Sequence, residues 1–109
     1  MIKVCIAGGT GWAGSELSKG VFKHPNMELV GAISRKHKGE NLGAVLNLDS
    51  SDIPIFGDIE TALKEVDFDV LVEYTKPDIA MKNVISSLKK GKNVVIGTSG
   101  LTEDRKSVV

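Results

Sequence analysis

The pattern of apolar and polar positions along this chain alternates between strand-like runs and helical spacings. Residues 2–7 form a short apolar run rich in β-branched side chains, typical of a strand buried in a parallel sheet. From Trp12 to Phe22, apolar side chains recur every fourth position among polar neighbours, which predicts an amphipathic helix. Residues 27–34 form a second apolar run that stops at the polar segment 35–39. The first third of the chain therefore predicts strand, helix and strand.

The same alternation continues through the remaining residues. The segment that follows the polar residues 35–39, up to about residue 52, is expected to be a loop. Strands are predicted after it at 53–56, 70–72 and 93–96. Asp58 precedes an amphipathic segment and is expected to cap a helix between the first two of these strands.

A second long helix is predicted to open at Pro77, because proline is favoured in the first turn of a helix, and to end near Gly91. Its apolar side chains follow the i, i+3, i+4, i+7 spacing of a face that packs on a core. The side chains expected on that core-facing side are Met81, Val84, Ile85 and Leu88.

Strands that alternate with helices predict a Rossmann-type, doubly wound parallel sheet of the α/β class, with right-handed crossovers. The 109 residues suffice for one domain, and no repeat, linker or low-complexity segment divides them. In such a sheet, ligands bind beyond the carboxyl ends of the strands. We therefore expect residues 1–109 to form a single ligand-binding domain with its functional residues in the loops that follow the strands.

Composition narrows the possible functions. The 14 basic and 14 acidic side chains give a formal charge of zero, so no surplus of positive charge favours binding to nucleic acid or to an anionic membrane. Cys5 is the single cysteine, and no membrane-length apolar run or signal-peptide pattern precedes the first strand, which favours a cytoplasmic location. His24 and His37 are isolated and lack the spacing of metal ligands, so no metal site is expected.

The glycine-rich loop after the first strand is the most informative motif. Its G-x-x-G-x-x-G pattern lies between a predicted strand and a predicted helix, which is the context of a dinucleotide-binding turn. Gly8 permits a tight turn, Gly11 lets backbone N–H groups approach a pyrophosphate, and Gly14 allows the helix to pack closely on the strand. A tight turn without a ligand is the alternative interpretation.

The loop after the second strand bears on the choice of cofactor. NAD-binding domains usually carry an acidic residue there, which accepts the ribose hydroxyls, whereas this chain has Ser34 followed by Arg35, Lys36, His37 and Lys38. The Arg35 guanidinium can accommodate a ribose 2′-phosphate, so NADP(H) is the predicted cofactor. A charge-assisted bond of about 1.5–3 kcal/mol favours NADPH over NADH by about 10- to 150-fold. A solvated basic loop is the alternative.

The ends of the two later strands are expected to border the same cleft. Tyr74 and Thr75 follow one of them, and the small residues Gly97, Thr98 and Ser99 follow the other. Small residues leave room for the nicotinamide ribose, and Tyr74 can offer a ring to the nicotinamide region. Ordinary turn chemistry explains both segments equally well.

Three separated motifs carry a resemblance to a known family. Residues 6–14 are similar to a nucleotide loop that generally has Arg-Met at the positions of Trp12 and Ala13. Residues 68–77 are similar to an Asp-Phe-Thr-x-Pro segment, with two conservative changes, and residues 95–101 are similar to a Gly-Thr-Thr-Gly motif. Across nearly all of its length, the chain thus resembles the dihydrodipicolinate reductases of diaminopimelate and lysine biosynthesis.

The resemblance implies which residues bind the cofactor and what reaction follows. Residues 8–13 are implied to bind the dinucleotide, Ser34 and Arg35 the adenosine ribose region, and residues 97–99 the nicotinamide side. The implied reaction is hydride transfer from NADPH, with NADH possible, to a dihydrodipicolinate-type substrate. The cofactor-binding residues expected from the motifs and the resemblance together are Gly8, Gly9, Thr10, Gly11, Trp12, Ala13, Ser34, Arg35, Tyr74, Thr75, Gly97, Thr98 and Ser99.

The family's substrate domain, with its His-His-x-x-Lys motif, has no counterpart in these residues. The chain is therefore expected to be a fragment that lacks this domain, so no catalytic residue is assigned. Alone, it is expected to bind cofactor without turning over substrate. The resemblance also implies that the full-length protein is a homotetramer assembled through the substrate domain.

Two other functions remain open on the residues alone. The nucleotide domain of an acyl-phosphate or semialdehyde reductase has a similar glycine loop, but it requires a nucleophilic cysteine after that domain, and Cys5 lies too early to serve. A non-catalytic nucleotide- or CoA-binding module can use the same loop on the same fold.

Overall fold

The computed structural model describes residues 1–8, 12–48, 52–75 and 77–96, with the backbone alone for residues 12, 13, 77 and 78. Within these residues, the chain forms five strands and four helices. The strands are β1 (Ile2–Ala7), β2 (Met27–Ile33), β3 (Ile55–Phe56), β4 (Val70–Glu73) and β5 (Asn93–Ile96). The helices are α1 (Trp12–Lys23), α2 (Leu42–Val45), α3 (Ile59–Glu65) and α4 (Pro77–Lys89).

All five strands pair in parallel, in the order β3-β2-β1-β4-β5. The chain runs outward from β1 to β3, then crosses back to place β4 beside β1 and β5 beyond it. The predicted Rossmann-type, doubly wound sheet is confirmed. Its winding reverses between β1 and β4, and the carboxyl ends of these two strands therefore flank the crevice where such sheets bind ligands.

The sheet has an apolar core on each face. On one face, Val4 and Ile6 of β1 belong to a buried cluster with Leu42 of α2, and Leu17 of α1 packs against it. On the other face, the cluster contains Cys5 and Phe68, both completely buried, together with side chains of α3. Burial raises the pKa of the Cys5 thiol to about 12, with a smaller contribution from the charge of Glu73.

Helix α2 lies within the segment that the sequence predicted to be a loop, so that prediction is wrong. Asn41 caps the helix, and its side-chain oxygen accepts a hydrogen bond from the Gly43 N–H at 2.9 Å. Leu42 is completely buried, and Asn41 bridges to Pro54 in the segment before β3. A four-residue helix has too little sequence for a periodic pattern, and tertiary contacts fix it instead.

Helix α4 has the predicted extent, but the face that packs on the sheet differs from the predicted one. Met81, Ile85 and Leu88 are 62%, 45% and 56% exposed, and Val84 is half-buried. The buried positions are Ala80, Asn83 and Ser87, which also follow a helical spacing. Their short side chains allow the helix to lie close to the sheet, so the apolar stripe that the sequence assigned to the core faces outward. None of the helices in the described residues is long and apolar enough to cross a membrane.

Candidate functional site

The crevice between β1 and β4 is formed by two closely approaching backbones. Gly8 follows β1 with a φ of +84°, and its N–H donates to the Ile33 carbonyl at 2.9 Å. A Cβ on Gly8 would lie 2.8 Å from the Tyr74 carbonyl oxygen. Any side chain here would therefore combine a strained backbone with a collision against the turn after β4. The chain needs glycine at this position, as the sequence predicted for a tight turn.

A buried carboxylate holds the turn that leads from β4 to α4. Glu73, the last residue of β4, is completely buried, and its Oε1 accepts hydrogen bonds from the backbone N–H and the hydroxyl of Thr75. Its Oε2 has no hydrogen-bond partner among the described residues. The Tyr74 N–H donates to the Ala7 carbonyl at 2.9 Å, which extends the pairing of β1 and β4 into the turn. Tyr74 and Thr75 are thus fixed beside Gly8.

A cavity of about 730 Å³ opens from this crevice toward the end of β2. It brings together five of the predicted cofactor-binding residues from three separate loops, and the first two turns of α4 form a further part of its wall. The predicted residues that line it are Gly8, Ser34, Arg35, Tyr74 and Thr75.

Positive side chains predominate in this cavity. Arg35 and Lys36 from the loop after β2 and Lys82 from α4 line it, and Asp58 is the single carboxylate among its described lining residues. The hydrogen bond from the Thr61 N–H holds the pKa of Asp58 below its usual value, and the charges of nearby lysines lower it further. Although the chain has no net charge, the cavity has an excess of positive charge that suits an anionic ligand.

A second cavity of about 820 Å³ adjoins the first and shares Arg35, Gly57 and Asp58 with it. Lys38 adds a further cation to its wall. Arg35 thus borders both cavities, with Lys36 and Lys82 lining the first and Lys38 the second. Across the described residues, no cluster of three or more His, Cys, Asp or Glu side chains could hold a metal ion.

Several predicted site residues lie outside the part of the chain that the structure describes. Their contacts with a cofactor remain predictions. They are Gly9, Thr10, Gly11, Gly97, Thr98 and Ser99, together with the side chains of Trp12 and Ala13.

The sequence prediction missed the contribution of α3 and α4 to the cavity. Asp58 was recognised only as a helix cap, and Ile79, Lys82 and Asn83 were not assigned to the site, although all four line the cavity. A usable signal was present, because the helix that follows β4 begins at the switch point in a doubly wound sheet. Its first two turns border whatever binds there.

Comparison with known proteins agrees with this architecture. The family model for the N-terminus of dihydrodipicolinate reductase matches residues 2–109. The chain belongs to the dihydrodipicolinate reductase family. This confirms the resemblance seen in its motifs, and the family together with the Rossmann-like fold identifies a nicotinamide-dinucleotide-binding domain.

Curated relatives include the 4-hydroxy-tetrahydrodipicolinate reductases of Bacillus cytotoxicus, 37% identical, and Bacillus mycoides, 40% identical, each over 103 residues. These matches cover 94% of this chain and 39% of each relative. The chain therefore spans about two fifths of the length of the curated relatives it matches.

Solved structures show the same relationship. The dipicolinate-bound dihydrodipicolinate reductase from Paenisporosarcina sp. TG-14 superposes with a TM-score of 0.75 at 31% identity, covering 95% of this chain and 40% of that one. An aspartate semialdehyde dehydrogenase with NADP from Candida albicans has a TM-score of 0.72 at 21% identity, covering 91% of this chain and 30% of that one. At that identity, the second likeness concerns the fold alone.

Proposed function

We propose that this chain is the NADPH-binding part of a 4-hydroxy-tetrahydrodipicolinate reductase, which transfers hydride to a dihydrodipicolinate-type substrate in diaminopimelate and lysine biosynthesis. The observation that carries the proposal is the cationic cavity at the switch point, where Gly8, Arg35 and Tyr74 meet. The family of the chain supports the same function.

The residues present fit a dinucleotide. The cavity volume lies within the range of small-molecule and cofactor sites, about 300–1,000 Å³. Gly8 lines this cavity, and its lack of a side chain allows the turn after β4 to lie directly beside the turn after β1. In this proposal, residues 8–13 hold the pyrophosphate, Ser34 and Arg35 the adenosine ribose, and residues 97–99 the nicotinamide side. When bound, the nicotinamide supplies the hydride, and the protein supplies binding and orientation.

The basic loop after β2 favours NADPH over NADH. The Ser34 N–H donates to the Phe56 carbonyl at 2.8 Å, which continues the contact between β2 and β3, and the next residue, Arg35, lines the cavity. Arg35 is exposed and offers a planar, permanently charged group that suits a phosphate. Asp58 also lines this cavity, but its Oδ1 accepts a hydrogen bond from the Thr61 N–H. One of its two carboxylate oxygens is therefore already engaged in capping α3. NADH is a possible but weaker ligand.

Catalysis of the whole reaction requires residues other than those assigned here. None of the site residues in the chain is proposed to be catalytic, so the chain alone should bind the dinucleotide without turnover. A cytoplasmic location and, for the longer protein, a homotetramer assembled through the substrate domain are part of the same proposal.

A titration of the chain with NADPH and with NADH, followed by calorimetry or by nicotinamide fluorescence, tests this function. Saturable binding with a preference for NADPH of about tenfold or more is expected. Arg35→Ala should remove most of that preference, because it should weaken NADPH binding far more than NADH binding. Lys23→Ala, which removes an exposed cation at the end of α1, is the matched control and should change neither affinity.

The outcome that contradicts the proposal is the absence of binding by either dinucleotide. Coenzyme A would then be titrated, because a CoA-binding module can use the same fold and glycine loop.

A further inference from the structure

Lys82 lies on the second turn of α4, and its side chain lines the cavity that Arg35 and Lys36 line from the loop after β2. Its Nζ is 3.3 Å from Oε1 of Glu60 on α3. The other carboxylate oxygen of Glu60 accepts a hydrogen bond from the Ser86 hydroxyl, also at 3.3 Å. Glu60 therefore contacts two residues of α4, and it is the present ion-pair partner of the Lys82 ammonium.

We propose that Lys82 is a specificity-determining residue that binds the 2′-phosphate of NADPH together with Arg35. This inference rests on the proposed function. It adds a contact from α4, because Lys82 lies about fifty residues after Arg35 in the sequence. The two side chains act in different ways, because a guanidinium binds phosphate through a planar pair of donors whereas an ammonium is a compact point charge.

The charge of the ligand is the first reason for a second cation. A phosphate monoester carries about −1.5 to −2 charges at neutral pH, so one arginine leaves part of the charge uncompensated. Asp58 in the same cavity adds a further negative charge. The positive charge of Lys82 contributes to the lowered pKa of the Asp58 carboxyl, so the ammonium already interacts with negative charge in this cavity.

The second reason is that the ion pair between Lys82 and Glu60 is weak. The side chains of Lys82 and Glu60 are 66% and 53% exposed, and ion pairs so exposed contribute little to stability, about 0–1 kcal/mol. The ammonium can therefore exchange Glu60 for a phosphate at small cost. Because Glu60 keeps its contact with Ser86, the exchange does not require the two helices to separate.

The experiment compares Lys82→Ala with Lys89→Ala in titrations of the chain with NADPH and NADH. Lys89 is an exposed lysine on the same helix that lines a separate groove between α3 and α4, so its removal changes the net charge equally without touching the cofactor cavity. We expect Lys82→Ala to weaken NADPH binding about 5- to 30-fold and to leave NADH binding within twofold. Lys89→Ala should change neither affinity by more than twofold.

Two further variants separate charge from shape. Lys82→Arg keeps the charge and should retain most of the preference for NADPH. Glu60→Gln removes the competing carboxylate and should leave NADPH binding equal or stronger. The NADPH affinity of Lys82→Ala should also depend less on salt concentration than that of the unsubstituted chain, since one ionic contact is missing.

The outcomes distinguish this inference from the proposed function. If the unsubstituted chain prefers NADPH and Lys82→Ala binds it equally well, Lys82 is a solvated surface lysine and only this inference is overturned. A parallel loss of NADPH and NADH binding in Lys82→Ala also overturns it, because the residue then supports the cavity as a whole. If the unsubstituted chain binds neither dinucleotide, the proposed function itself is wrong and this inference falls with it.

Discussion

Replacing Gly8 by alanine tests whether the close approach of the β1 and β4 turns is essential to the site. The new Cβ would lie 2.8 Å from the Tyr74 carbonyl oxygen and 2.9 Å from its carbonyl carbon. Both are backbone atoms, so they cannot swing aside as the end of a side chain can. Either the turn that carries Tyr74 and Thr75 or the backbone at Gly8 therefore has to move.

Two terms set the expected loss of stability. An alanine at positive φ costs about 1–2 kcal/mol, partly offset by about 0.4–1 kcal/mol because alanine restricts the unfolded chain. Overpacking against a fixed neighbour adds about 1–3 kcal/mol. Gly8→Ala should therefore lower the free energy of unfolding by about 2–4 kcal/mol, a large part of the stability of a small domain.

Gly91 provides the matched control because it has a φ of +78° and a Cβ added to it would meet no heavy atom within 4 Å. Gly91→Ala should cost only the conformational term, about 1 kcal/mol. Urea unfolding of both variants and of the unsubstituted chain gives the comparison, and titration with NADPH should show weaker binding for Gly8→Ala alone. Equal losses of stability in the two variants would contradict this prediction, since the contact between a Gly8 Cβ and the Tyr74 backbone would then have no cost.

Three further predictions concern the packing and ionisation of described residues. Ala80→Lys should destabilise the chain by about 2 kcal/mol or more while Met81→Lys changes stability by less than about 0.5 kcal/mol in urea unfolding, and the reverse order would contradict the observed face of α4. Burial raises the pKa of Cys5 from 9.0 to about 12, so the thiol loses its proton at lower pH in the unfolded state than in the folded state. The free energy of unfolding should therefore be unaffected by this group below about pH 9 and fall by about 1.4 kcal/mol per pH unit from there to about pH 12. Unfolding of Cys5→Ala at pH 8 and pH 11 should lack this loss, and an equal pH dependence in the two proteins would count against it. Asp58→Ala should lower the melting temperature by removing the cap on the Thr61 N–H, whereas Asp58→Asn should retain most of the stability; equal losses would contradict the cap.

Most elements of the fold could be predicted from local patterns in the sequence. The apolar run of β1, the tight turn at Gly8 and the cap of α3 each depend on neighbours in sequence, so periodicity and residue type were enough to predict them. The parallel, doubly wound arrangement of the strands could be predicted from their alternation with helices, because right-handed crossovers allow few arrangements.

The features that were missed depend on tertiary contacts. Helix α2 exists because Leu42 is buried and Asn41 reaches the segment before β3, neither of which a four-residue pattern reveals. On α4, two stripes share a helical spacing, and hydrophobicity favoured Met81 over the small Ala80 that actually packs on the sheet. The place of Lys82 in the site depends on how α4 lies against α3, so its part in the cavity could not be predicted from its neighbours in sequence.

An amide NMR titration of the isotopically labelled chain with NADPH tests most directly whether the crevice between β1 and β4 binds a nicotinamide dinucleotide. We expect the largest chemical-shift changes at Gly8, Arg35, Thr75 and the first two turns of α4. Changes confined to the lysine-rich groove between α3 and α4, or no saturable change at all, would contradict it.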